Sequence, residues 1–129
     1  MVLKRSKSTL ESKSESFAGR IIKLYDYLKK EKKELVISKQ LYRSGTSVGA
    51  NIAESRYAQS DADFVSKLSI ALKEANETCY WLDCLYNANF LDQKGYQSIY
   101  ADAIELVKML TSAVKTKKEN IVKSTIKNE

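Results

Sequence analysis

DFVSKLSIALKEANETCYWL, residues 63–82, is the stretch from which the fold can be read. Phe64, Leu68, Ala71, Ala75, Thr78 and Leu82, with Leu85 just beyond, recur at steps of three and four, which lines them along one side of an α-helix. Val65, Leu72, Cys79 and Tyr86 stand seven apart and make a second stripe beside the first. The helix is preceded by a polar break, RYAQSDAD at 56–63, in which Ser60 and Asp63 have the spacing of a helix N-terminal cap. NANFLD at 87–92 is the next turn, and Asp92 is suited to cap the helix after it.

Working outward, three more segments have helical periodicity. Phe17, Ile21, Leu24 and Leu28 recur at i, i+4, i+7 and i+11, with Ala18, Ile22 and Tyr25 alongside. The run KKEKKE at 29–34 reads as a polar helix end, its lysines suited to the negative end of the helix dipole. Leu41, Gly45, Val48 and Ile52 repeat the same spacing within SGTSVGANIA, a stretch rich in small residues. Gly45 and Gly49 each cost about 1 kcal/mol relative to alanine inside a helix, so their presence predicts a neighbouring helix packed close against them. Ile99, Ala103, Leu106, Leu110 and Ala113 form the last stripe, with Tyr100, Val107, Val114 and Ile121 beside it. The expectation is an all-α fold, an antiparallel up-down-up-down four-helix bundle with helices at about 14–33, 36–55, 61–88 and 92–119. Residues 1–13 are read as a basic flexible tail and 121–129 as a C-terminal tail. Two stripes on one helix predict a second buried surface, an oligomer interface; the alternative is one broad stripe facing two neighbours within the bundle.

Composition narrows the chemistry. The 129 residues contain no histidine, no proline, four glycines and two cysteines. Without histidine there is no Ser-His-Asp or Cys-His nucleophile pair, no His-ligated zinc and no imidazole acid–base catalyst. Cys79 and Cys84 are too few for a four-cysteine metal site, and on one helix they point about 140° apart, so two reduced thiols are expected. The glycine stretch has no preceding strand and no GK[ST], so it is no phosphate loop. No metal or cofactor is expected, and paired carboxylates such as Asp61 with Asp63, or Glu74 with Glu77, make no convincing acid–base site. No apolar run approaches the roughly 18 residues of a membrane span, and the N-terminus lacks the apolar core of a signal peptide, so a cytoplasmic location is expected.

Charge is unevenly placed. Residues 1–34 carry ten basic and five acidic side chains, residues 61–105 three basic and eight acidic, and residues 106–129 six basic and two acidic. If the basic ends meet, they make a cationic patch that could neutralise phosphates. The candidate contacts are Lys29, Lys30, Lys32, Lys33, Lys39, Arg56, Lys115, Lys117 and Lys118; the plainer reading of each is a solvated lysine face. Tyr25, Tyr27, Tyr42 and Tyr57 lie near the basic segment and could stack bases, although aromatics at helical spacing usually belong to a core.

LYRSGTSVGANIAES at 41–55 and the 63–82 stretch resemble the bacterial four-helix bundle proteins encoded by intervening sequences inside large-subunit ribosomal RNA genes. That fold also includes the accessory variability determinant of diversity-generating retroelements. The resemblance runs from about Phe17 to about Val114. It implies a ring-like homopentamer, and by analogy with the retroelement members it implies partners of two kinds, RNA or DNA and a reverse transcriptase. Two positions depart from the pattern: Ala50 stands where many members carry proline, and Asn89 where many carry glycine. The matched positions Arg43, Ser47, Asn51 and Glu54 share one face of the second helix, and Glu74 and Glu77 lie i, i+3 on the third. They suggest a structural polar network in which Arg43 pairs with Glu74 or Glu77 and Asn51 closes the network across the glycine seam. The leading functional reading is a non-enzymatic oligomeric protein with a basic surface for nucleic acid; the alternative is a protein–protein interaction scaffold without nucleic-acid affinity.

Overall fold

The computed structural model describes residues 6–128, the side chain of residue 128 excepted. Four helices succeed one another: α1 (Thr9–Lys30), α2 (Val36–Ser55), α3 (Asp61–Asn87) and α4 (Gln93–Asn128). Each packs on its neighbours in the chain, α2 against α3 most extensively, and α4 returns to touch α1 most sparingly. The result is an up-down-up-down bundle whose α1–α4 seam is the loosest of the four.

The stripes form the core. Phe17, Ile21 and Leu28 from α1 meet Leu41, Val48 and Ile52 from α2. Leu68, Ala71, Ala75, Leu82 and Leu85 from α3 and Ile99, Ala103, Leu106 and Leu110 from α4 complete it. On α3 and α4 most of the second stripe belongs to this core too. Cys79 and Val114 are buried, and Val65, Leu72, Tyr100 and Val107 pack partly buried against the same cluster. On α3 and α4 the doubled stripe is therefore one broad stripe serving two neighbours. The large apolar side chains left exposed lie elsewhere, among them Ile22, Leu35, Val36 and Tyr42 on the α1–α2 side.

Helix ends obey local capping chemistry, and three differ from the sequence expectation. α1 starts at Thr9 rather than near residue 14, because Ser8 Oγ accepts from the Glu11 N–H at 3.2 Å. Leu10 then adds a partly buried contact to the core. Of the expected N-terminal tail, residues 1–5 lie outside the described residues. α4 continues through Asn128 instead of fraying at 119–121. No glycine or proline occurs after Gly95, and nothing local ends the helix. α1 ends at Lys30, not 33, since Lys33 takes a left-handed φ of 56°. Asn89, at φ 67°, closes α3: the Phe90 N–H donates to Leu85 O at 2.9 Å and the Asn89 N–H to Tyr86 O at 3.0 Å. Asparagine thus fills a left-handed position suited to glycine.

The turn at 31–35 contains an acid that the charge run conceals. Glu34 is buried, and its carboxylate accepts from the N–H groups of Val36 (3.1 Å), Ile37 (2.8 Å) and Ser38 (2.7 Å). It supplies the cap that α2 otherwise lacks, and the Ser38 hydroxyl donates back to the Glu34 carbonyl at 2.7 Å. Burial pushes the Glu34 pKa up, but the backbone donors outweigh it and hold the carboxyl below its ordinary 4.5. A depressed pKa gives stability that is complete above the unfolded value and is lost as pH falls through the folded one. Glu34→Gln should therefore lower stability by about 1 kcal/mol at neutral pH. The gap between variant and wild type should narrow as pH falls below the ordinary carboxylate value and close once it passes the lowered folded one. Urea unfolding at a series of pH values checks this, and a gap independent of pH would contradict it.

Candidate nucleic-acid interface and the polar network

Helix direction sorts the nine candidate cations into two groups. Lys29, Lys30, Lys32, Lys33 and Lys39 sit where α1 ends and α2 begins. Arg56, Lys115, Lys117 and Lys118 sit at the other end, where α2 finishes and α4 leaves the bundle. From Lys39 to Arg56 the helical rise amounts to about 26 Å. The nine therefore do not form one patch: five lie at one end of the bundle and four at the other, the end that the start of α1 shares with the far part of α4.

Two of the second group, Arg56 and Lys117, are engaged with protein, and two, Lys115 and Lys118, are not. Arg56 Nη2 lies 2.9 Å from Glu11 Oε1 and donates to the Ser6 carbonyl at 2.8 Å, and its side chain is only 21% exposed. It holds the start of α1 to the end of α2 and is poorly placed to meet a phosphate. Lys117 lies 3.0 Å from Asp61 Oδ1 and 5.3 Å above the Phe64 ring, closing α4 onto the start of α3. Lys115 and Lys118 are exposed on α4.

The α1–α2 end is different. Lys30 pairs with Asp26 at 3.1 Å within α1. Lys23, Lys29, Lys32, Lys33 and Lys39 have no carboxylate within 4.0 Å among the described residues. Lys29 lies 5.9 Å above Tyr25, whose ring centroid is 4.9 Å from that of Tyr42. Lys23, on α1 near this end, was not among the cations expected from the sequence; its place six residues before the lysine run was the available signal.

The polar network forms between α2 and α3 in altered shape. Arg43 reaches both acids, with Nη1 3.1 Å from Glu74 Oε2 and Nη2 against Glu77. Trp81 Nε1 donates to Glu77 at 3.0 Å, and Thr78 Oγ1 donates to Ser44 Oγ at 3.0 Å in the buried interior beneath. Asn51 and Ser47 do not cross to another helix. Asn51 Nδ2 donates to Ser47 O at 2.9 Å and Ser47 Oγ to Arg43 O at 2.6 Å, both within α2. Glu54 pairs instead with Lys67 on α3 at 3.3 Å. The small-residue seam lies on another side of α2, against α1: Gly45 faces Ile21 and Gly49 faces Ser14. A network on the α3 side therefore has no seam to close.

The interior offers structural chemistry. Cys79 and Cys84 are free thiols, and burial, then the nearby Asp83 charge, pushes the Cys79 pKa to about 11. Tyr96 donates to Asp83 at 2.5 Å, a bond that, with burial, raises its pKa well above the usual phenol range. Among the described residues, no group of three or more His, Cys, Asp or Glu side chains could hold a metal ion, and no helix is long and apolar enough to cross a membrane.

Fold and surface together define an all-helical bundle protein, organised by apolar stripes and inter-helix ion pairs. The chain belongs to the 23S rRNA-intervening sequence protein family, whose model matches residues 7–112. It is similar to a crystal structure described as a protein with unknown function from the S23 ribosomal protein family of Bacteroides thetaiotaomicron VPI-5482. The two share 52% identity over 83% of this chain and 99% of that one, with a TM-score of 0.82. No curated protein matches the chain.

Proposed function

We propose that this protein is a non-enzymatic, self-associating four-helix bundle that contacts RNA or DNA through its α1–α2 end. The observation that carries the reading is the group of lysines there, Lys23, Lys29, Lys32, Lys33 and Lys39, without carboxylate partners among the described residues. Cations left unpaired at one end of a helical protein make a phosphate-neutralising surface that is additive and blind to sequence. Self-association is supported by the exposed Ile22, Leu35, Val36 and Tyr42 on the same side of the molecule. The ring-like homopentamer is the assembly that the resemblance implies. The exposed apolar side chains also favour a second reading, a protein–protein scaffold without nucleic-acid affinity.

Salt separates the two. In fluorescence anisotropy with labelled RNA and DNA, micromolar binding at low salt should weaken steeply toward physiological salt. Lys32→Gln with Lys33→Gln should flatten the log–log salt slope by roughly 1.5. Lys115→Gln with Lys118→Gln should change binding less. Absence of binding at low salt would leave the scaffold reading, whose apolar contacts persist where ionic ones fade.

A further inference from the structure

The loose α1–α4 seam opens, at the same basic end, into a groove of about 700 Å³. That volume falls in the range of small-ligand sites, roughly 300–1,000 Å³. Leu24 from α1, Phe90 and Leu91 from the α3–α4 turn, and Ile99 from α4 give it an apolar lining, all of them wholly or partly buried against the core. Tyr27, 44% exposed, forms an aromatic wall. Lys23 and Lys32 also line it, without carboxylate partners among the described residues. Arg20, which lines it as well, is already held by Asp102 and Ser98 of α4.

The groove thus has an apolar floor, an aromatic wall and two available ammonium groups. Its one carboxylate, Asp92, is occupied in capping α4 through the Gly95 N–H at 2.7 Å. The combination calls for a ligand that is flat and apolar in one part and anionic in the part near the lysines. We infer that the groove seats an unpaired nucleotide, its base against Tyr27 and the apolar lining and its phosphate near Lys23 and Lys32. The inference rests on the nucleic-acid reading above and deepens it, because it specifies single-stranded over duplex substrate. A base in a duplex has both faces stacked on its neighbours, so only an unpaired one can enter the groove without the cost of unstacking. One further cation adjoins the groove: Lys33, next to Lys32 in the chain and without a carboxylate partner among the described residues, would receive a flanking phosphate, whereas Lys29 lies over Tyr25 on the α2 side of α1. A lone organic anion would use the groove but not Lys33.

The test compares a labelled oligothymidine strand with a GC-rich duplex of equal length, by anisotropy across a salt series. The strand should bind more tightly. Tyr27→Ala should weaken strand binding about tenfold while leaving the salt slope unchanged, since stacking is lost and no phosphate contact is. Tyr27→Phe should retain wild-type affinity. Lys23→Gln with Lys32→Gln should reduce the strand's salt slope by about 1.4. Tyr27 is exposed enough for its truncation to leave the fold intact, which a matching thermal melt would verify. If Tyr27→Ala binds as the wild type does while the lysine variants weaken, or if duplex binds as well as strand, the groove assignment is overturned and the basic-end reading stands. If neither nucleic acid binds at low salt, both fall.

Discussion

Gly45→Val should lower the melting temperature by about 10 °C or more, one of the two largest effects expected of a single change in this chain. A Cβ at Gly45 would stand 2.8 Å from Ile21 Cγ1 and 2.9 Å from Cγ2, closer than carbon atoms can approach. Ile21 is fully buried and branched at Cβ, so those methyl and methylene groups cannot swing aside. Relief requires α1 and α2 to separate, and overpacking of this kind costs about 3 kcal/mol or somewhat more for valine. Gly49 is one turn away in the same small-residue pattern, yet the nearest atoms to its Cβ are those of Ser14 at 3.4 Å, an ordinary contact. Gly49→Ala should therefore be neutral or stabilising by up to about 1 kcal/mol, through helix propensity. Adding Ile21→Ala to Gly45→Val should recover part of the loss, because the two sites share one space. Calorimetry on the three variants decides the matter: equal effects at Gly45 and Gly49 would mean the seam is not defined by Ile21.

Phe17→Ala should have an effect of similar size. Phe17 is 2% exposed and is the bulkiest core side chain of α1, and its truncation should cost about 3–5 kcal/mol by urea unfolding. Phe64, an equal loss of carbon but only partly buried at the start of α3, should cost much less when truncated. Similar costs at the two positions would mean that the core does not extend to the seam between α1 and α4.

The repeating apolar positions made the helices, their order and most of the core readable in advance, because burial on one side of a helix imposes a period that composition cannot disguise. Asn89 was readable as a turn residue for the same local reason. What escaped depended on partners distant in the chain. Gly45 and Gly49 announce a close approach but not which helix approaches, and α1, rather than the helix of Glu74 and Glu77, turned out to be the neighbour. Arg56 looked like a cation at a polar break; its partner Glu11 lies 45 positions away, and no spacing rule joins them. Glu34 was hidden among lysines, because its capping role exists only once Lys33 has turned the chain. Ser8 and Glu11 did carry the signature of a helix start, but a basic, serine-rich setting made a flexible tail the simpler reading.

The seam between α1 and α4 has a consequence for how the molecule comes apart. Few side chains interdigitate there, and the cross-links are exposed ion pairs, Lys13 with Glu105 and Arg20 with Asp102. Pairs of that kind contribute at most about 1 kcal/mol each and are screened by salt. The α2–α3 pair, by contrast, is the most extensively packed in the chain. The native state is thus a firm central spine with two outer leaves, and its lowest-energy excursions part the leaves while the spine stays closed. Raising the ionic strength should therefore make the leaves part more often.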